Sequence, residues 1–236
     1  MSRELRYTAI VLKKQPFSEG DEIITFFTKE QGKVRALAKS IKLSKSKLAQ
    51  KLQSLFLVEL QIAGGQLPKI IGAEPREVFS RMRENMEAVK IAFYAQELVL
   101  KFTPDEHKNE ELFNLFLEFL RFLDSAQEAV LGLGLAKFKM AILQALGLAV
   151  NQQVQTKPIP IFFSAEHGGF TVEKAGMAVP RETLGLFTAL LKTNGFLDLA
   201  QLSGAKGLPQ LQDVLSQFIE YQLERKVKSE GFLKSA

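Results

Sequence analysis

The sequence predicts an α+β protein, with β-strands over about the first 80 residues and mainly helices over the rest. Apolar residues alternate with a period near two in the first part and recur with a period near 3.6 in the second. Charge divides at the same place: residues 1–80 hold 14 Lys and Arg against 8 Asp and Glu, whereas residues 81–236 hold 17 against 18. We therefore expect two domains, residues 1–80 and residues 81–236.

Five runs in the first domain have the composition of strands and are separated by turn residues. In the third run, Val34, Ala36 and Ala38 face one way and Lys33, Arg35 and Leu37 the other, which predicts one buried and one outer face. A piece compatible with a short helix, residues 46–52, precedes the fourth run. The predicted strands are Tyr7–Gln15, Glu22–Thr28, Lys33–Ala38, Ser54–Ala63 and a fifth that runs from Lys69 toward Val78.

Five short strands with one longer excursion, between the third and the fourth, form the layout of a small Greek-key barrel of the OB (oligonucleotide-binding) type. An SH3-like barrel has a similar strand count and remains an alternative. A barrel of the OB type presents one face and certain loops to single strands of nucleic acid.

The segment Gly32–Val58 is rich in cations and contains no Asp or Glu. We interpret it as a surface that binds the phosphate backbone of a nucleic acid, and a solvated basic loop is the alternative. Four phenylalanines, at positions 17, 26, 27 and 56, could stack on bases, although barrel core is the more usual role for such residues. The candidate phosphate-binding residues are Lys33, Arg35, Lys39, Lys42, Lys45, Lys47 and Lys51.

The second domain shows the periodicity of amphipathic helices. An insert at about residues 152–176 interrupts them, and its composition predicts a small β-hairpin of residues 159–163 and 170–172. The predicted helices cover residues 81–103, 112–123, 128–146, 180–193 and 209–226.

Several classes of function have no support in the sequence. The chain has no Cys, which excludes disulfides and thiolate metal sites. Neither His107 nor His167 has a nucleophile or metal ligand at a useful spacing, and no phosphate-binding glycine loop is present. We find no signal peptide, and the apolar stretch around Lys137 and Lys139 predicts a buried helix rather than a membrane span. We therefore expect a cytoplasmic, non-enzymatic protein without a cofactor, with a hydrolase of unrecognised acidic site as the enzymatic rival.

The run SEGDEIITFFTKEQGKVRALAKS, followed by a basic linker and QSLFLVEL, resembles the amino-terminal signature of the RecO family of bacterial recombination mediators. The pieces FKMAILQALGLAV and KVKSEGFL resemble later parts of that family, so the resemblance covers nearly the whole chain. The matching positions of the signature are Ser18, Glu19, Asp21, Phe27, Thr28, Gly32, Lys33, Arg35, Ala38 and Lys39.

This resemblance implies an OB barrel joined to a helical domain, and a protein that binds single- and double-stranded DNA and anneals complementary strands. It also implies work with RecR in placing RecA on strands coated by single-stranded DNA-binding protein. The acidic tail of that protein would need an apolar pocket edged by a cation, for which Lys90, Lys101, Arg121, Lys137 and Lys139 are candidates. Charge alone fits an RNA-binding OB protein of the translation apparatus equally well.

The sequence departs from the family in one segment. Many RecO proteins carry four cysteines at the position of Lys157–Ala175 that hold zinc, whereas PIPIFFSAEHGGFTVEKAG contains none. Zinc in a structural site needs four N, S or O ligands. We therefore predict a lobe without zinc, held together by the apolar side chains of Ile159, Ile161, Phe162, Phe163 and Phe170.

Overall fold

The structure is a computed structural model that describes residues 4–42, 46–152 and 160–233. These residues form two compact units. The barrel unit holds the described residues up to Glu84 together with Ala95–Leu120, and the helical unit holds Asn85–Tyr94 and the described residues from Arg121 onward. The barrel unit therefore includes a stretch beyond the boundary at residues 80/81 that the sequence predicts.

The first unit contains a closed five-stranded barrel in the order β1-β2-β3-β5-β4, with a short helix between β3 and β4. The sheet confirms the prediction of an OB-type barrel. Each strand lies within a few residues of its predicted position, and β1 is longer than expected. The elements are β1 (Glu4–Ser18), β2 (Asp21–Thr28), β3 (Gly32–Ala38), α1 (Lys47–Lys51), β4 (Leu57–Ala63) and β5 (Lys69–Glu77).

Strand β1 closes the barrel because it is long enough to pair with two neighbours. Its residues 4–10 pair with β4 and its residues 9–18 pair with β2, both antiparallel. The seam on the opposite side is narrow: β3 and β5 run parallel and pair only at Leu37 and Lys69. In the described residues, β3 before Leu37 and β5 after Lys69 therefore lack a strand partner at this seam.

The barrel core follows the alternation of the sequence. Val34, Ala36 and Ala38 are buried inside it, as the pattern of the third strand predicts. Phe26 of β2 lies in the same cluster, and Leu52 of the segment after α1 closes one end of it. The helix between β3 and β4 is therefore fixed to the barrel by the apolar residues around it.

Helices dominate the remainder of the chain. The long helix predicted from residue 81 is two helices, because the side chain of Asn85 caps a new one: its Oδ1 accepts the backbone N–H of Glu87 at 3.0 Å and of Ala88 at 3.1 Å. No helix in the described ranges is long and apolar enough to cross a membrane. The helices are α2 (Ser80–Glu84), α3 (Met86–Phe102), α4 (Glu110–Ser125), α5 (Glu128–Ala145), α6 (Arg181–Lys192), α7 (Leu208–Leu223) and α8 (Glu230–Leu233), with a 3₁₀ helix at Leu197–Leu202.

The insert forms a three-stranded sheet where the sequence predicts a two-stranded hairpin. The third strand, β8 (Met177–Val179), pairs antiparallel with β6 (Ile161–Ser164) on the side opposite β7 (Gly169–Thr171). The insert that the sequence predicts ends at residue 176, before this third strand. Gly176 has φ +75°, and the chain returns to the sheet directly after it.

Aromatic rings hold this small sheet. Phe163 packs edge-on against Phe170 and Phe218, with ring centroids 5.5 Å and 5.9 Å apart, and Phe170 packs against Phe187 at 5.0 Å. Ile161 is buried and Phe162 is half-buried. The predicted contribution of Ile159 lies outside the described residues.

A serine and a histidine order the turn between β6 and β7. The Ser164 hydroxyl lies 2.9 Å from His167 Nδ1 and accepts the backbone N–H of His167 at 3.3 Å. Across the described ranges, no three His, Asp or Glu side chains come together as a metal site would require.

We expect the thermal transition of the protein to be insensitive to metal chelators. Incubation with EDTA or 1,10-phenanthroline should leave the melting temperature unchanged, because the aromatic ring packing of the lobe does not depend on a metal ion. Differential scanning calorimetry with and without chelator measures this. A fall in melting temperature that added Zn²⁺ reverses would contradict it.

Candidate nucleic-acid interface

In an OB barrel, oligonucleotides bind on the outer face of β2 and β3 and on the loops that flank it. One part of that face is covered here within the barrel unit itself. Phe27 points outward from β2, yet it is fully buried because its ring packs against Phe113 of α4, with centroids 5.7 Å apart. The part near Ile23 and Arg35 borders an open cleft.

Lys33 also lies on the outer side of β3, but its ammonium is bound within the protein. It donates to the backbone carbonyls of Leu100 at 3.2 Å and Thr103 at 2.7 Å, and lies 3.2 Å from Asp105 Oδ1. Only 14% of the side chain is exposed, so a phosphate could not approach it freely. Lys33 therefore caps the carboxyl end of α3 and is a poor candidate for binding phosphate.

The remaining cations of β3 and the turn after it face solvent. Arg35, Lys39 and Lys42 are exposed. Two hydrogen bonds tie this basic turn to the β1–β2 turn: Lys42 N–H donates to the Gly20 carbonyl at 3.1 Å, and Ser40 N–H donates to Asp21 Oδ1 at 2.7 Å. The barrel therefore fixes the backbone that presents Lys39 and Lys42.

The cations around α1 differ in their availability. Lys47 is exposed at the start of the helix, where the Ser46 hydroxyl accepts the Ala49 N–H at 3.4 Å as a cap. Lys51 forms an ion pair with Glu74 of β5, which lowers its availability to a phosphate. Lys45 lies outside the described residues, and its role remains a prediction.

Lys69 belongs to the same surface, although it is not among the phosphate-binding residues predicted from the sequence. It is exposed at the start of β5, and its backbone pairs with Leu37 of β3, two residues from Arg35. The barrel order, in which β5 lies beside β3, would have pointed to Lys69. We define the basic surface as Arg35, Lys39, Lys42, Lys47 and Lys69.

Of the four phenylalanines considered for stacking on bases, three have rings that are buried or covered by another side chain. Phe26 and Phe27 are fully buried, and the Arg83 guanidinium lies over the ring of Phe56, 4.6 Å from its centroid. Phe17 is 55% exposed, at the position where the β1–β2 pairing shifts register. Nearby on β1, partial burial lowers the pKa of Lys14, and the charge of Glu22 acts in the opposite direction.

The comparisons with known proteins agree with this architecture. The family model described as recombination protein O N terminal matches residues 1–79, and the one described as recombination protein O C terminal matches residues 83–231. The chain belongs to the RecO family. Its two matched regions cover nearly the whole chain and meet close to the end of the barrel.

Curated RecO proteins align with the chain over most of its length. DNA repair protein RecO of Pelotomaculum thermopropionicum is 30% identical over 244 residues, which covers 95% of this chain and 91% of the relative. The RecO protein of Dehalococcoides mccartyi strain CBDB1 is 26% identical, covering 98% and 96%. That of Acaryochloris marina is 32% identical, covering 78% and 67%. The chain is thus a RecO-family DNA repair protein.

Replacing Lys33 with Met should lower the free energy of unfolding by more than it lowers the free energy of binding to a DNA oligonucleotide. The substitution keeps the aliphatic length but leaves the two carbonyls and Asp105 without their cation, at a cost of about 2 kcal/mol in the free energy of unfolding. Denaturant titration measures stability, and fluorescence anisotropy with a labelled oligonucleotide measures affinity.

The matched control for this substitution is Arg35→Met, which removes an exposed cation from the same strand. It should leave the free energy of unfolding within about 0.5 kcal/mol of the wild type and reduce affinity for DNA. The reverse pattern, with stability lost at Arg35 and affinity lost at Lys33, would show that the two roles are assigned to the wrong residues.

Proposed function

We propose that this protein is a non-enzymatic recombination mediator that binds single- and double-stranded DNA and anneals complementary strands. The observation that supports this proposal is the basic surface: exposed cations from β3, the turn after it, α1 and β5 lie on one OB barrel. No acid interrupts the segment from Gly32 to Val58 that supplies most of them.

The proposed mechanism depends on charge rather than on base sequence. Lysine and arginine contacts to phosphates position a strand without reading it. Two strands that approach each other repel because both carry phosphates, and cations bound along one strand reduce that repulsion. Annealing by this route makes and breaks no covalent bond, and it needs neither a catalytic residue nor a cofactor.

The family resemblance supports the proposed partners: RecR, single-stranded DNA-binding protein and, indirectly, RecA. The candidate cations for the acidic tail all have partners within the protein. Lys137 donates to the Leu190 carbonyl at 2.8 Å, and buried Lys139 donates to Ser216 Oγ at 2.6 Å. Lys90 pairs with Glu87 and Lys101 pairs with Glu97, at 3.7 Å and 3.4 Å.

Arg121 is exposed but also has a partner within the protein, so none of the five candidates is singled out to receive a carboxylate. The cleft beside Lys139, of about 360 Å³, suits an acidic tail poorly. Three carboxylates line it, and like charges would oppose a second acidic segment. Those carboxylates belong to Glu87, Asp213 and Glu230.

We propose that the protein acts in the cytoplasm, at the nucleoid.

Reversing two charges of the basic surface should weaken binding to DNA without unfolding the protein. For Lys39→Glu/Lys42→Glu we expect at least a tenfold loss of affinity for a single-stranded oligonucleotide at about 50 mM salt. The logarithm of the wild-type association constant should fall with the logarithm of salt with a slope of roughly −3.5, for about five phosphates, and that of the variant with roughly −2.

A control of equal charge change is Lys192→Glu/Lys206→Glu, which alters two exposed lysines of the helical unit. This control should bind with the wild-type salt slope. Equal losses in both variants would attribute the effect to net charge and refute the basic surface. Matched RNA and DNA strands should be titrated in parallel, because tighter binding to RNA would favour an RNA-binding protein of the translation apparatus.

Strand annealing tests the mediator function itself. The wild type should accelerate pairing of complementary strands coated with the cognate single-stranded DNA-binding protein, and Lys39→Glu/Lys42→Glu should not. The Lys192→Glu/Lys206→Glu control should retain the acceleration. Loss of fluorescence from labelled complementary strands gives the rate, and wild-type annealing by the first variant would contradict the mechanism.

A further inference from the structure

A cleft of about 430 Å³ opens in the barrel unit beside β3, at residues that precede its single pair with β5. Its lining includes residues of β1 and β3, the β4–β5 loop, and the segment after α3. The volume lies within the range of sites that bind small molecules, roughly 300–1,000 Å³. The cleft borders the basic surface, because Arg35 belongs to both.

Segments of chain close the edge of β3 at both ends of this cleft. At one end, the N–H of Glu106 donates to the Lys33 carbonyl at 2.9 Å. At the other end, the N–H of Leu37 donates to the Pro68 carbonyl at 2.8 Å. Backbone groups of alternate residues in a strand point to the same side, so those of Arg35 point to this side as well.

Arg35 therefore presents a backbone donor and a backbone acceptor to the cleft. In the part of the chain that the structure describes, neither of the two bracketing segments bonds to it, and β5 pairs with β3 only at Leu37. An N–H and a C=O side by side match the alternating donors and acceptors on the edge of a nucleobase. The Arg35 guanidinium lies on the same residue, where it can meet the attached phosphate.

The walls of the cleft suit the faces of a flat ring. Leu5, Ile62 and Leu67 provide apolar surface, and Tyr7 Oη donates to Gln31 Oε1 at 2.6 Å beside them. The carboxylates of Asp105 and Glu106 stand at one end. They would repel a phosphate there but can accept hydrogen bonds from the exocyclic amino group of a base.

We infer that this cleft holds one unpaired nucleobase of a single strand whose phosphates lie on the basic surface. The inference rests on the proposed function, since the strand must first bind. An extended peptide fits less well, because between the two bracketing bonds the described β3 edge has one open residue, Arg35, and added strands need several. A base paired in a duplex cannot enter unless it leaves the stack, so the cleft favours single strands.

The test compares two single strands with equal numbers of phosphates, one intact and one with abasic sites throughout its central part. The wild type should bind the intact strand about tenfold more tightly. Leu67→Ala removes an exposed side chain of the cleft and should reduce that ratio to about threefold or less. Anisotropy titrations at one salt concentration give both affinities.

Two control variants locate the effect. Ile71→Ala truncates a side chain of β5 that is 49% exposed and does not line the cleft, and it should retain the full ratio. Phe17→Ala removes the exposed ring of the β1–β2 hairpin and should retain it too. Melting temperatures of all three variants show that each is folded.

The outcomes separate this inference from the proposed function. If neither strand binds the wild type, the proposed function and the inference both fail. If both strands bind with equal affinity, the DNA-binding function stands and the nucleobase site is refuted. A ratio that persists in Leu67→Ala, or that Phe17→Ala abolishes, also refutes this cleft as the site.

Discussion

The bonds around Lys33 determine which part of the barrel can meet a ligand. The Lys33 ammonium binds two carbonyls at the end of α3 and the carboxylate of Asp105, and the Lys33 carbonyl accepts the N–H of Glu106. The preceding Gly32 has φ +74°, and a Cβ on it would overlap the carbonyl of His107. The backbone and the side chain of Lys33 thus both hold the segment after α3 against β3.

This attachment has an electrostatic basis. The last carbonyls of a helix lack partners within the helix and carry partial negative charge, so a cation placed there is stabilising. An ammonium has three hydrogens to donate, and Lys33 has three acceptors within reach. To contact a phosphate it would have to leave partners in a largely desolvated place. The exposed Arg35, two residues along the same face, carries no such cost.

The sequence predicts the barrel well because strand alternation and turn residues are local signals. The inward set at Val34, Ala36 and Ala38 follows directly from a period of two. The role of Lys33 could not be predicted in the same way, because its partners lie 67 to 72 positions away and only the fold brings them together. Single-chain patterns distinguish a cation from an acid but do not show which cation has acquired a partner.

The division between α2 and α3 does have a local signal in the sequence. Asn85 followed by Met86-Glu87 is typical of a helix start, and it separates α2 from α3. To predict that Lys69 joins the basic surface, the strand order must be known as well. Its position beside Arg35 depends on the parallel contact of β3 and β5. The open edge of β3 at Arg35 can be recognised only from the hydrogen-bond pattern of the fold, which neither composition nor periodicity reveals.

The ring-packed lobe changes how this protein should respond to oxidants. Thiolates that hold zinc are readily oxidised, and their loss releases the metal and the structure around it. Here Phe163, Phe170, Phe187 and Phe218 occupy the interior, and the chain has no cysteine to modify. The same chemical stress that damages DNA therefore leaves this part of a repair protein without an oxidisable ligand.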